Sequence, residues 1–357
     1  MRLTRRSTLA GLTGAAATGL SMPAIAEGRV RWRMATSWTK NLPGPGTAAA
    51  HFARRIGELT GGRLEVDLFG AGEIVPGLQV LDAVSNGSVE MGHTAAFYWV
   101  GKMPASVFFT TVPFGAGPVE HQSWLERGGG QALWEELYAP FGVRPMLAGN
   151  TGPSMGGWFR KPIAGLADAM GLRIRVQGLG AEVWQQLGAT GIAIPVPDML
   201  PALSKGVVDG VEFLAPMNDA PMGFASVAAN YYAPGFNKPN GAAEALINTK
   251  AWEKLTTDQK AAIAVAAAET HARGLAEAEA LNGAALVDLI QSHNVQVTRF
   301  SPDLLAAARK AAELVVGNLA GKSELSGRIH NSYTAFRSRT RLWRRIGVAG
   351  LSAMNED

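Results

Sequence analysis

No cysteine occurs in the 357-residue chain, which excludes a disulfide framework, thiol catalysis and thiolate metal sites and leaves buried apolar surface as the source of stability. Histidine is sparse. His51, His93, His121, His271, His293 and His330 are scattered, with no His-Glu-x-x-His pair, and the chain also lacks a Gly-x-Ser-x-Gly elbow and a Walker-type lysine. The usual signatures of zinc hydrolysis, acyl transfer and phosphate cradling are therefore missing. Gly178-Leu179-Gly180 is half of a dinucleotide fingerprint, but Val183 stands where the third glycine belongs, so it reads as a loop glycine pair. Long apolar runs are lacking too: residues 9 to 22 carry no charge, yet they are too few and too rich in Gly and Ala for a span of ~20 residues. A basic stripe of the kind that binds polyanions is absent outside Arg337, Arg339, Arg341, Arg344 and Arg345, which read as the solvated face of a late helix, so no nucleic-acid partner is expected.

What is present begins with an export signal. Arg2, Arg5 and Arg6 precede the uncharged stretch, and Ala24-Ile25-Ala26 supplies small residues for cleavage after Ala26. Thr4-Arg5-Arg6-Ser7-Thr8-Leu9 follows the twin-arginine pattern in part, with Thr8 where a bulkier residue is usual. Loss of residues 1–26 lowers the formal charge from +4 to +1, leaving 30 basic against 29 acidic residues. A periplasmic location follows as an expectation. About 330 mature residues are enough for two lobes rather than one.

Short apolar strands alternate with helices, which argues for an α/β protein with mostly parallel sheets. Val30 to Ala35 and Leu64 to Phe69 read as strands, Gly46 to Thr60 and Leu78 to Ser85 as helices. Asn86-Gly87-Ser88-Val89-Glu90-Met91-Gly92 and Lys205-Gly206-Val207-Val208-Asp209-Gly210-Val211 repeat one grammar of helix, glycine, valine, acid and strand, once in each half. Asn150-Thr151-Gly152-Pro153 and Pro216 to Pro221 read as turns or crossings between lobes. Thr256 to His293 is Ala-rich and predicts a long helix with Thr257 as its cap. Helices after Ser301-Pro302-Asp303 carry Tyr333, Phe336, Leu342 and Trp343, apolar groups for which another subunit is one burial site.

The segment from Gly149 to Glu212 carries the functional reading. In Gly171-Leu172-Arg173-Ile174-Arg175-Val176 the apolar residues share one strand face and the arginines the other. An arginine fork donates two parallel hydrogen bonds to a carboxylate and stays charged when buried. Arg175 is read as the ligand anchor, with a structural salt bridge as the alternative, and Arg173 as a surface charge. Glu212 is read as a ligand or cation partner, or else as a counter-ion to Arg175. Tyr98 is placed at the pocket wall. Trp158 alternates with Gly157 and Phe159, so one of the two aromatics faces the ligand at most. Ser154, Asn150 and Glu244 are further polar candidates.

The stretches Gly152 to Ile163, Gly171 to Val176 and Gly206 to Glu212 resemble the solute-binding subunits of tripartite ATP-independent periplasmic (TRAP) transporters, and the likeness runs from Arg31 to about Trp343. Ala95-Ala96-Phe97-Tyr98-Trp99-Val100-Gly101-Lys102 and Met155 to Arg160 are similar to the branch that binds 2-oxo acids and related monocarboxylates with a metal ion. The resemblance implies a two-lobed periplasmic binding fold with a hinged cleft and long C-terminal helices. Lobe I is expected over 27–149 with a return over 239–280, lobe II over 150–238 with a return over 281–300, and a helical extension over 301–357. It implies that Arg175 pairs with a small organic acid and that Glu212 and Phe213 sit beside a cation, Na or Ca, with Ser154 as a third candidate ligand. Ser154 and Phe213 depart from the glutamine and tryptophan common in that branch; a serine hydroxyl is a shorter and weaker oxygen ligand, while Phe213 still offers its carbonyl. Integral membrane subunits and a homodimer through the C-terminal helices are the implied partners, and no chemistry is expected. An ABC-type receptor or an exported enzyme is the alternative.

Overall fold

The computed structural model describes residues 29–354; the export signal lies outside them. Eleven strands are β1 (Val30–Thr36), β2 (Leu64–Phe69), β3 (Met91–Thr94), β4 (Val143–Asn150), β5 (Gly157–Phe159), β6 (Arg173–Arg175), β7 (Thr190–Ile192), β8 (Gly210–Val211), β9 (Asn230–Ala233), β10 (Ala242–Asn248) and β11 (Gln296–Arg299). They form two sheets, ordered β2-β1-β3-β10-β4 and β11-β9-β5-β8-β6-β7. Both sheets are mixed. β10 runs antiparallel to β3 and β4, and β5 antiparallel to β8 and β9. Each of these two strands follows directly on a crossing between the sheets.

The crossings pair with each other. Residues 151–156 lead out of β4 into β5, and residues 234–241 lead back from β9 into β10. Thr151 donates its N–H to the Gly241 carbonyl at 3.1 Å, Ser154 to Lys238 at 3.0 Å, and Gly235 returns a bond to Ser154 at 3.0 Å. Asn150 Nδ2 donates to Asn240 Oδ1 at 2.8 Å. Both segments are thus held as one ribbon between the sheets. The segment Pro216 to Pro221 is not a crossing: Pro216–Asp219 is a short helix with proline at its first position, inside the second lobe.

Six helices matter here: α1 (Pro45–Leu59), α2 (Pro118–Arg127), α3 (Gly130–Tyr138), α4 (Thr257–His293), α5 (Pro302–Ala320) and α6 (Glu324–Trp343). The cap of α4 is Thr256, not Thr257. Its side chain accepts from Gln259 N while the Gln259 side chain returns to the Thr256 N–H, a reciprocal capping box. At 37 residues and ~1.5 Å per residue, α4 is long enough to serve both sheets. Ile263 and Ala266 near its start join the core of the first sheet, and Leu289 near its end joins that of the second. Gly274 between them lets the Asn150 backbone lie directly on the helix.

The late helices settle onto their own chain. Trp124 and Trp134 stack on Phe109 at 5.4 and 5.1 Å, and Tyr333 of α6 meets Trp124 edge-on at 5.1 Å. Tyr333 accepts the Ala116 N–H at 2.7 Å, and Ile329 and Phe336 are buried. Large exposed apolar groups of this region gather at the end of α6 and just beyond it, where Leu342, Trp343, Ile346 and Val348 reach the surface, with Leu314 on α5 exposed apart from them. Among the described residues no helix is long and apolar enough to cross a membrane.

Thr256→Ala should cost ~1 kcal/mol in urea unfolding through loss of the cap. Gly274→Ala gains alanine's helix propensity, ~1 kcal/mol, yet its methyl carbon would lie 2.5 Å from the Asn150 carbonyl oxygen. A net loss of stability is expected there; a gain would show that the helix does not rest on Asn150.

Candidate functional site

Alternation puts both arginines of β6 on the face opposite Ile174, and their places at the two ends of the strand separate them. Ile174 is fully buried between them; Arg173 is exposed and held by Asp209, with its Nε and NH2 at 3.1 and 2.9 Å from the two carboxylate oxygens. Arg175, at the end of the strand, is 2% exposed. Its Nε donates to the Ile194 carbonyl at 3.0 Å and its NH1 to that of Glu212 at 2.8 Å. Burial lowers the guanidinium's pKa, and the nearby Tyr98 and Glu212 oppose that shift.

Arg175 opens into a cavity of about 50 Å3 between the two sheets, room for roughly four waters at ~10–15 Å3 each. The first lobe contributes Trp38, Leu42 and Phe97; the second contributes Val196 and Phe213. Tyr98 and Gln177 stand beside Arg175, at the boundary with an outer cavity of about 200 Å3 that runs to Pro76 and Pro197.

A second cation reaches the cavity from the return crossing. Lys238, 4% exposed, directs its Nζ to the Phe213 carbonyl oxygen and lies 3.2 Å from Glu212 Oε1. The other Glu212 oxygen accepts Asn237 Nδ2 at 2.8 Å. Burial lowers the Lys238 pKa, with Glu212 opposing and Arg175 reinforcing the shift. Asp219 is the other acid of the cluster. Its Oδ2 accepts from Trp158 Nε1 and the Tyr231 hydroxyl, both at 2.9 Å, and its Oδ1 from Leu214 N at 3.0 Å. Burial pushes this carboxyl up to about 6. Arg175 and Lys238 line the cavity, and no carboxylate does. Two cations face inward and their two counter-ions are turned away into the protein.

Of the residues selected from sequence, Arg175, Tyr98 and Phe213 line this space, and Glu212 lies directly behind Lys238. Ser154 is buried on the outward crossing, tied through its N–H to Lys238, and its side chain is not in the lining. Asn150 is spent on Asn240 and on the Gly152 N–H. Trp158 stacks on Tyr231 at 4.0 Å in the second lobe's core. Lys238, Asn237, Asp219 and Gln177 were not selected. Lys238 had a signal: it is the sole charged residue between Asp219 and Glu244, in a stretch whose neighbours are those of a turn. Among the described residues no three His, Asp or Glu side chains converge as a metal-ligand set.

Residues 34–322 match the bacterial extracellular solute-binding proteins, family 7. A monocarboxylate 2-oxoacid-binding periplasmic protein of Nostoc sp. (strain PCC 7120) is 38% identical over 317 residues, 89% of this chain and 86% of that protein. A TRAP transporter solute-binding protein of Bordetella bronchiseptica RB50, solved as a mixed-occupancy dimer with copurified calcium and picolinate in one active site and the other apo, is 36% identical. It covers 92% of this chain and 97% of its own, with a TM-score of 0.89. A TRAP periplasmic solute-binding protein of Pseudoalteromonas atlantica T6c with bound sodium and pyruvate is 31% identical, covering 92% of this chain and all 100% of its own, with a TM-score of 0.88.

Glu244, on β10, lies outside the cavity lining, buried between Trp99 Nε1 at 2.7 Å and the Tyr138 hydroxyl at 2.9 Å. Burial raises its carboxyl from 4.5 to about 8. The folded state therefore keeps a proton that the unfolded chain releases, so this contribution to stability is full below pH 4.5 and is lost as pH rises through about 8. His93 and His121, both lowered to about 4 by burial, act in the opposite sense, losing stability as pH falls from 6.5 through about 4. Melting temperatures of Glu244→Gln and the parent, compared from pH 5 to about 9, should differ by a term that vanishes in acid and favours the variant in base. A difference independent of pH would place the Glu244 titration outside this range.

Proposed function

Since the chain belongs to the bacterial extracellular solute-binding proteins of family 7, the solute-binding proteins of TRAP transporters, we propose that it is a periplasmic receptor for a short 2-oxo acid or related monocarboxylate, which it passes to integral membrane subunits. As a solute-binding transport protein it is not an enzyme. The observation that carries the ligand class is the cavity whose charged lining consists of Arg175 and Lys238. Such a surface attracts an anion, and its size suits a short one. The apolar wall of Trp38, Leu42, Phe97 and Val196 suits a small alkyl body rather than a second carboxylate. The relatives named with pyruvate and with 2-oxoacid binding support the same class.

In the proposed mechanism the open lobes expose Arg175, whose fork receives the carboxylate while the Ile194 and Glu212 carbonyls fix the guanidinium plane. Residues from the first lobe then close over the acid and shift the population toward the closed form. Asn218 Nδ2, bonded to the Pro43 carbonyl at 2.8 Å, is a contact across the cleft of the kind that closure makes. We assign lobe I to 27–149 and 239–280, lobe II to 150–238 and 281–300, and an extension to 301–357. A second copy of the chain is proposed to cover Leu342, Trp343, Ile346 and Val348, in keeping with the dimer of the Bordetella relative.

A thermal-shift screen of the mature protein should show a rise with a short 2-oxo acid such as pyruvate, about 2.7 kcal/mol of added stability at a hundredfold its Kd. The rise should vanish in Arg175→Ala, and dicarboxylates and sugar acids should give none. No rise with any monocarboxylate would overturn the ligand class, and a rise that survives Arg175→Ala would overturn the anchor. Light scattering on Trp343→Asp/Ile346→Asp should report monomers that still bind. Persistence of the dimer would mean that the two copies meet elsewhere.

A further inference from the structure

The relatives with calcium and picolinate or sodium and pyruvate raise the question of whether this chain also holds a metal ion beside its acid. The oxygens expected to do so are Glu212, the Phe213 carbonyl and Ser154. In this structure the first two are already met by a cation that is part of the chain. The Lys238 ammonium bonds the Phe213 carbonyl and makes an ion pair at 3.2 Å with Glu212 Oε1, an oxygen that accepts no hydrogen bond. Glu212 Oε2 is taken by Asn237 at 2.8 Å. The Ser154 side chain is not in the cavity lining. A calcium ion asks for six to eight oxygens at ~2.3–2.6 Å, whereas the one carboxylate here gives one oxygen to Asn237 and turns the other toward the Lys238 ammonium, which stands where an ion would. An added ion would also sit between two buried positive charges, Arg175 and Lys238, with no acid on the cavity wall. The residues present do not fit a metal.

We infer that this receptor binds its acid without a metal ion, and that Lys238 supplies from within the chain the positive charge that its relatives take up as calcium or sodium. The inference rests on the receptor reading above and concerns the same cavity. An ammonium has three donors. One reaches Phe213 and one faces Glu212, and because Lys238 lines the cavity the third is available to an oxygen of the bound acid. The acid then lies between a flat guanidinium fork and a point charge, so one end of a 2-oxo acid meets Arg175 and the other polar oxygen meets Lys238. Lys238 is carried on the return crossing, fixed there by the bond between its carbonyl and Ser154 N. Its placement therefore depends on the ribbon rather than on either lobe alone.

The test measures metal and acid separately on the intact mature protein. Elemental analysis after purification in ordinary buffer should find less than about one-tenth of an equivalent of calcium, and a calcium titration of the acid-free protein should give neither heat nor a change in melting temperature. Pyruvate affinity by calorimetry should agree within about twofold in EDTA, in calcium and with sodium exchanged for choline. Lys238→Gln, verified as folded by circular dichroism, should bind pyruvate at least ~30-fold more weakly. Stoichiometric metal in the parent protein, a saturable calcium titration, or loss of pyruvate affinity on chelation overturns the inference, as does a folded Lys238→Gln with parental affinity. Should Lys238→Gln not fold, the measurements on the parent protein still decide. If pyruvate binds under none of the conditions, the receptor reading for that acid fails, while the calcium titration still tells for or against the lysine.

Discussion

A guanidinium that is 2% exposed must find its hydrogen bonds and its counter-charge inside the protein, because desolvating an ion costs several kcal/mol even after relaxation. Arg175 finds its hydrogen bonds in the Ile194 and Glu212 carbonyls and its counter-charge in the nearby acids Glu212 and Asp219. Each of those partners must be held in turn. Asp219 is gripped by Trp158, Tyr231 and Leu214, and Glu212 by Asn237 and Lys238. Strand β8, the aromatic core around Trp158 and the return crossing are all tied to that single charge. Removing any counter-ion would leave a buried cation unpaired, the costly case.

The polarity of this cluster is as important as its neutrality. Two cations and two acids nearly balance, yet they are sorted in space. The cations face the cavity, while behind it Asp219 meets the Trp158 N–H and the Tyr231 O–H and Glu212 meets the Asn237 amide. A balanced but sorted arrangement presents a positive face to a guest without a large net charge in the core.

Arg175 was legible in sequence because a period-two alternation puts charge and core on opposite faces of a strand, and Leu172 to Val176 states that alternation in five residues. The long helix was legible from its alanines and its capping threonine, with an error of one residue at the cap. Lys238 was not, since nothing local says that a lysine among turn residues will be 4% exposed; the ribbon that buries it pairs segments about eighty residues apart. Asn150, Trp158 and Glu244 were chosen as polar or aromatic groups beside apolar runs. The structure spends them on internal bonds, which is how a core satisfies such groups. Tyr333 and Phe336 seemed to want a partner subunit because the aromatic pile that receives them, Phe109 with Trp124 and Trp134, lies some two hundred residues earlier.

Helix α4 has a place in both cores, through Ile263 and Ala266 at one end and Leu289 at the other, and at its waist Gly274 seats the carbonyl of Asn150, the last residue before the chain leaves the first sheet. It is a rod fastened in two bodies and bearing on the end of the strand from which the chain crosses between them. Both cores therefore share one helix, and a defect at its waist, where Gly274 meets Asn150, would be felt in the two sheets at once.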